Sequence, residues 1–109
     1  MEITLTPAES FNAKPDADRL GFGTLFTDHM FNMDYDPNQG WHHPRIEPYG
    51  PISMDPSTMV LHYGQGVFEG LKAYRSVDGK PVWFRVRDNY ARFNRSAERM
   101  VMPTVPESI

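Results

Sequence analysis

AYRSVDGKPVWFRVRDNYARFNRSAERMV, residues Ala73 to Val101, is the stretch that decides the fold. Its first half is broken by Asp78-Gly79, a pair suited to a tight hairpin because glycine enters the left-handed backbone region freely. Gly66–Arg75 and Pro81–Val86 flank it as expected strands. The repeat then changes from two residues to 3.6. Tyr90, Phe93, Ala97, Met100 and Val101 fall on one helical face, and Arg92, Arg95 and Arg99 on the opposite one. Asp88 is the expected N-cap of a helix over Asn89–Val101, and Pro103 stops it. Two strands followed by an amphipathic helix predict an α+β fold: an antiparallel sheet with a C-terminal amphipathic helix packed on it.

Immediately upstream lies LHYGQGVFEGLKAY, Leu61 to Tyr74, with three glycines and several polar groups in a short apolar run. A strand built only to fill a core would carry Val, Ile and Leu there, so this stretch reads as a strand whose backbone and aromatic rings face a ligand. Its glycines have the spacing G-x-G-x-x-x-G and no helix is expected to follow, which excludes a dinucleotide-binding loop. Further upstream, Leu25–Tyr35 alternates as a strand and Asp36 to Gly40 forms a turn. Trp41–Pro56, with four prolines, reads as a long extended connection containing short strand pieces. Residues 1–20 are a polar, loosely tied arm, and residues 21–109 form one small domain.

A formal charge of -3 argues against nucleic acid as a partner. There is no cysteine for a disulfide framework or a thiolate metal site. No apolar run approaches the ~20 residues needed to cross a bilayer, and no signal peptide opens the chain, so a cytoplasmic protein without a membrane partner is expected. The chain closes on Val105-Pro106-Glu107-Ser108-Ile109, where a new helix would begin, and reads as part of something longer.

Spacing leaves the arginine stripe open between two readings, a solvated helix face and a site for phosphate or carboxylate. Lys72 runs into an exposed turn and reads as a solvent-facing lysine rather than a nucleophile. His29, His42, His43 and His62 show no metal-binding spacing, and no metal is expected.

Three motifs then become specific together: FGTLFTDHMF, LHYGQGVFEGLKAYR and WFRVRDNYARFNRSAERMVMP. In this order and spacing, over about residues 20 to 106, the chain resembles the N-terminal small domain of the branched-chain amino acid aminotransferases, fold-type IV enzymes that use pyridoxal 5'-phosphate. The resemblance implies transfer of the amino group of Leu, Ile or Val to 2-oxoglutarate. It implies that Arg92 grips the cofactor phosphate and that Phe22, Phe68 and the space beside Gly70 face the substrate side chain. It implies that Tyr63 reaches into a partner subunit's site, hence a homodimer. It also implies that the Schiff-base lysine lies beyond Ile109. Lys72 is not that residue, no catalytic residue is assigned within the chain, and these 109 residues alone are expected to be inactive. Two alternatives remain: a non-enzymatic binding or dimerisation module sharing the domain, and another fold-type IV enzyme, a D-amino acid aminotransferase or an aminodeoxychorismate lyase.

Overall fold

A computed structural model describes residues 1–108. The chain divides into two compact units, Met1–Ser53 and Met54–Ile109, so the expected arm shares its unit with the first strands.

The first unit is a three-stranded sheet of β1 (Thr4–Leu5), β2 (His29–Asp36) and β3 (Gly40–Pro48), in the order β1-β3-β2. β2 and β3 pair antiparallel, and β1 pairs parallel with β3 at Arg45 and Ile46. The sheet is therefore mixed, where a purely antiparallel one was expected. The hairpin turn falls where the sequence places it. Asp36 pairs with Gly40, its carboxylate accepts the Asn38 N–H at 2.8 Å, and Gly40 takes φ +71°.

β3 is longer than the short strand pieces expected within Trp41–Pro56. Pro44 is buried inside a nine-residue strand between two partners. Proline is normally excluded there because it has no N–H for the ladder. A bulge resolves the conflict. Asn32 faces Arg45 but Asp34 faces His42, so Met33 opposes both His43 and Pro44, and His43 takes φ +51°. Pro44 thus sits where the ladder asks for no donor.

The arm is tied rather than loose. Beyond β1, the Thr6 N–H donates to the Ile46 carbonyl at 2.9 Å and the Ala8 N–H to His29 Nε2 at 2.9 Å. Asn12 donates twice to Asp28 Oδ1, at 3.0 and 2.7 Å. Those bonds, the backbone N–H of Asn12 first, hold the Asp28 carboxyl below its ordinary range.

The second unit contains α1 (Met59–Tyr63), the hairpin β4 (Ala73–Arg75) and β5 (Pro81–Trp83), and α2 (Val86–Arg99). The Asp78-Gly79 turn is in place, with Gly79 at φ +81° and the Ser76 N–H donating to the Lys80 carbonyl at 2.9 Å. The strands are shorter than expected. Leu61–Tyr74 is a strand only at its last two residues, which belong to β4: it begins as the end of α1, is stopped by Gly64 in a left-handed cap, and runs irregularly to Ala73.

α2 starts three residues before the expected Asn89. Arg85 is the N-cap, and Asp88 lies in the first turn, paired with Arg85, where a negative charge complements the helix dipole. At the other end the Val101 N–H donates to the Glu98 carbonyl at 3.0 Å and the Met102 N–H to the Ala97 carbonyl at 2.9 Å. This is a left-handed C-terminal cap of the kind glycine usually fills, yet Val101 occupies it at φ +54°. Val101 is exposed there and leaves the apolar face to which its spacing had assigned it.

The side-chain hydrogen bonds of α2 to residues outside the helix go to the loop 65–70 and the tail 102–105, not to a strand. Tyr90 and Asn94 both donate to the Val105 carbonyl, the latter at 2.9 Å, and Asn89 reaches Gly70. Ala97, 1% exposed, is the one buried apolar side chain besides Pro44 among the described residues. No helix among the described residues is long and apolar enough to cross a membrane.

Candidate functional site

The second unit brings the glycine-rich loop after α1 against the polar side of α2, and Glu69 and Arg92 join them. The Arg92 Nε donates to Glu69 Oε2 at 2.6 Å and its Nη2 donates to Oε1. Glu69 Oε1 also accepts from Asn89 Nδ2 at 3.1 Å and from the Gly70 N–H at 3.0 Å. The two partners differ in setting: the Glu69 side chain is 12% exposed and that of Arg92 63%. The Arg92 guanidinium, helped by the Asn89 amide and the Gly70 N–H against the opposing effect of desolvation, lowers the Glu69 carboxyl to about 2. The same contact raises Arg92. Both groups are charged at neutral pH.

This pairing uses one edge of the guanidinium. A planar fork has a second, end-on edge, formed by Nη1 and the remaining N–H of Nη2. Nη1 has no hydrogen-bond partner among the described residues. Arg92 lines an open depression together with Arg95, Ser96, Arg99 and Met100. Arg95 and Arg99 are exposed and have no ion-pair or hydrogen-bond partner among the described residues. Three guanidinium groups on one helix face against a single carboxylate leave the depression net positive, and forked donors suit the oxygens of a phosphate or a carboxylate. Glu69 also lines an apolar cleft of about 270 Å³, together with Leu71, Val86, Asn89, Tyr90 and Phe93.

The expected substrate-facing residues lie on exposed backbone. Tyr63 ends α1 and is 78% exposed, and Phe68, in the loop after it, is 92% exposed. Gly70 donates its N–H to Glu69 and accepts Asn89 Nδ2 on its carbonyl at 2.9 Å. A Cβ at Gly70 would meet nothing within 4 Å, so space beside it is open. Phe22, 100% exposed, belongs to the first unit. Lys72 is exposed and has no partner among the described residues.

Glu69 and Asn89 are the residues that the sequence reading missed. A lone acid between glycine-flanked apolar residues, preceding an arginine-lined helix, was the available signal.

The histidines are each committed locally. His29 accepts from Ala8, His42 Nδ1 donates to the Gly40 carbonyl at 3.0 Å, and His62 Nε2 donates to the Pro56 carbonyl at 2.5 Å. His43 sits 3.2 Å from Asp34, which also accepts from Arg45 at 2.8 Å. No group of three or more His, Cys, Asp or Glu residues is placed to hold a metal ion among the described residues.

No protein-family model matches the chain. Branched-chain-amino-acid transaminase 1 of Bacillus subtilis is 58% identical over 99 residues, which is 91% of this chain and 28% of that protein. Branched-chain-amino-acid aminotransferase of Mycolicibacterium smegmatis is 52% identical over 101 residues, 93% of this chain and 26% of that protein. A probable branched-chain-amino-acid aminotransferase of Staphylococcus epidermidis is 52% identical over 106 residues, 97% of this chain and 29% of that protein. The chain thus spans between a quarter and a third of the length of the curated relatives it matches.

Proposed function

By sequence the chain belongs with the branched-chain amino acid aminotransferases, and on that premise we propose that it supplies the phosphate grip and the side-chain-facing rings of such an enzyme. The whole enzyme would move the amino group of Leu, Ile or Val to 2-oxoglutarate. Pyridoxal 5'-phosphate, when bound, supplies the electron sink that this exchange requires. The arginine-lined depression fits its phosphate: it is net positive, open, and presents the unused edge of Arg92. That free edge is the observation on which the reading rests.

The remaining roles are those the family implies. An aliphatic substrate offers only methyl groups, so its pocket needs rings and space, which Phe68 and the open side of Gly70 would supply from the second unit, and Phe22, exposed in the first, takes the same role by family resemblance alone. Tyr63 adds a hydroxyl to an apolar wall, useful because 2-oxoglutarate brings a second carboxylate. Its exposure at the end of α1 suits a ring that completes the site of a second subunit in a homodimer. By family resemblance the lysine that would hold the cofactor and move the substrate proton lies outside these residues, and the 109-residue segment alone is expected to be inactive. The enzyme works in the cytoplasm and belongs to the fold-type IV group.

Arg92→Ala in the full-length enzyme should raise the dissociation constant for pyridoxal 5'-phosphate about 10- to 100-fold, the range for losing hydrogen bonds to a charged group. Equilibrium dialysis of the apoenzyme measures it, and unchanged affinity would remove Arg92 from the site. A transamination rate from the pure 109-residue segment above a lysine-free blank would overturn its assignment as inactive.

A further inference from the structure

We propose that Glu69 is a positioning residue, which aims the open edge of Arg92 at the anion, and that Asn89 is the clamp that fixes Glu69. The inference rests on the reading of Arg92 as the phosphate grip. Its basis is the direction in which the contacts run. Two of the four donors to the Glu69 carboxylate, Asn89 Nδ2 and the Gly70 N–H, do not involve Arg92. The carboxylate is therefore held whether or not the arginine is there, and it is largely buried, whereas Arg92 is mostly exposed. A long flexible side chain is oriented by a fixed anchor, not the reverse.

The edge that Glu69 takes also matters. It accepts from Nε and Nη2, which sets the plane and rotation of the guanidinium and leaves Nη1 pointing away. The opposite device would be an autoinhibitory one, with Glu69 as a stand-in anion that phosphate displaces. That requires a carboxylate free to leave. The Asn89 and Gly70 bonds argue against it, because release would strip the carboxylate of all four donors.

The two devices differ in the sign of one effect. In the full-length apoenzyme, titrated by equilibrium dialysis with pyridoxal 5'-phosphate, Glu69→Gln should weaken binding about 10-fold. Gln has the same shape but sets an N–H against the Nε–H or Nη2–H of Arg92. Asn89→Ala should weaken binding less, about threefold, in the same direction. In an Arg92→Ala background Glu69→Gln should change nothing further, because Glu69 acts through Arg92. Inorganic phosphate, used as a competitor, should show the same order of affinities. Tighter or unchanged binding in Glu69→Gln would overturn the proposal, as would an equal loss in the Arg92→Ala background. If Arg92→Ala itself leaves affinity unchanged, the phosphate reading fails and this inference with it. If Arg92→Ala weakens binding and Glu69→Gln does not, only this inference fails. Should Glu69→Gln not fold, Asn89→Ala carries the test alone, and tighter or unchanged binding there counts against the clamp and the anchor.

Discussion

The two units treat their charges in opposite ways. In Met1–Ser53 the ionic groups on the hairpin satisfy one another. Arg45 donates to Asp34 at 2.8 Å and lies 3.4 Å from Glu47, which accepts Asn32 Nδ2 at 2.6 Å. In the unit from Met54, α2 carries four arginines: Arg87 lies 3.6 Å from Glu107 and Arg92 pairs with Glu69, while Arg95 and Arg99 have no partner among the described residues. Aromatic rings divide less cleanly between the units. Tyr35 packs edge-on against Trp41 across the β2–β3 ladder, and Phe26 stacks on Tyr49, each with centroids 5.2 Å apart, while Phe22 in the first unit and Tyr63 and Phe68 in the second stand in the open. Charges and rings that close on each other build structure; those left facing outward are available to a ligand or a second chain.

The sharpest way to break this contrast is a matched pair of substitutions in the full-length enzyme. Arg92→Ala should cost 10- to 100-fold in cofactor affinity, and Arg45→Ala should leave it within about twofold, since Arg45 holds only the hairpin. Comparable losses from both would erase the distinction between inward and outward charge.

Packing gives the next largest effect. Ala97 is the buried point of α2, so Ala97→Leu should destabilise by about 1–3 kcal/mol through overpacking. Denaturant titration reads this, and a neutral result would mean that the helix face is free to shift. At the outward pole, Phe68→Ala should leave stability nearly unchanged and alter the ranking of Leu, Ile and Val as substrates. An unaltered ranking would remove Phe68 from the pocket.

Val101→Gly should go the other way. A β-branched residue in the left-handed region costs about 1–2 kcal/mol, and glycine returns part of that as lost chain entropy of about 0.5–1 kcal/mol. The net expectation is stabilisation by about 1 kcal/mol or less, read as a raised unfolding midpoint. A loss of stability would show that the Val101 side chain has packing that its exposure hides.

The smallest effect is a pH dependence. Glu69 is lowered from 4.5 to about 2 on folding, chiefly by Arg92. A depressed carboxyl stabilises the fold above its unfolded value, and that contribution is lost as pH falls from about 4.5 through 2. Glu69→Gln should flatten the stability profile across that window and leave the profile above pH 5 parallel to the wild type. An unchanged acid limb would mean that the Glu69–Arg92 pair does not persist in solution. Asp34, lowered chiefly by Arg45, acts in the same direction in the other unit.

Legibility divides by whether a feature is local. Both hairpin turns could be read, because Asp36 to Gly40 and Asp78-Gly79 carry their geometry in the residues themselves. The amphipathic helix could be read from its period, apart from Val101, whose backbone leaves the helix just where the period would keep it. The full length of β3 could not, because Pro44 is a correct warning against a continuous strand unless one knows of the bulge that shelters it. The stretch from Leu61 reads as a strand because its glycines suit close backbone approach, yet Gly64 ends a short helix there and a loop follows. Arg92 stood out from Arg95 and Arg99 only through resemblance to a family. Glu69 was invisible, since its role depends on a contact across 23 residues.

The central claim is that Arg92, oriented by Glu69, meets the cofactor's phosphate with its free edge. A crystal structure of the full-length enzyme with pyridoxal 5'-phosphate tests it most directly. The account predicts Arg92 Nη1 within about 3 Å of a phosphate oxygen, with Nε and Nη2 still on Glu69. A phosphate bound elsewhere, with that edge of Arg92 facing only solvent, would contradict it.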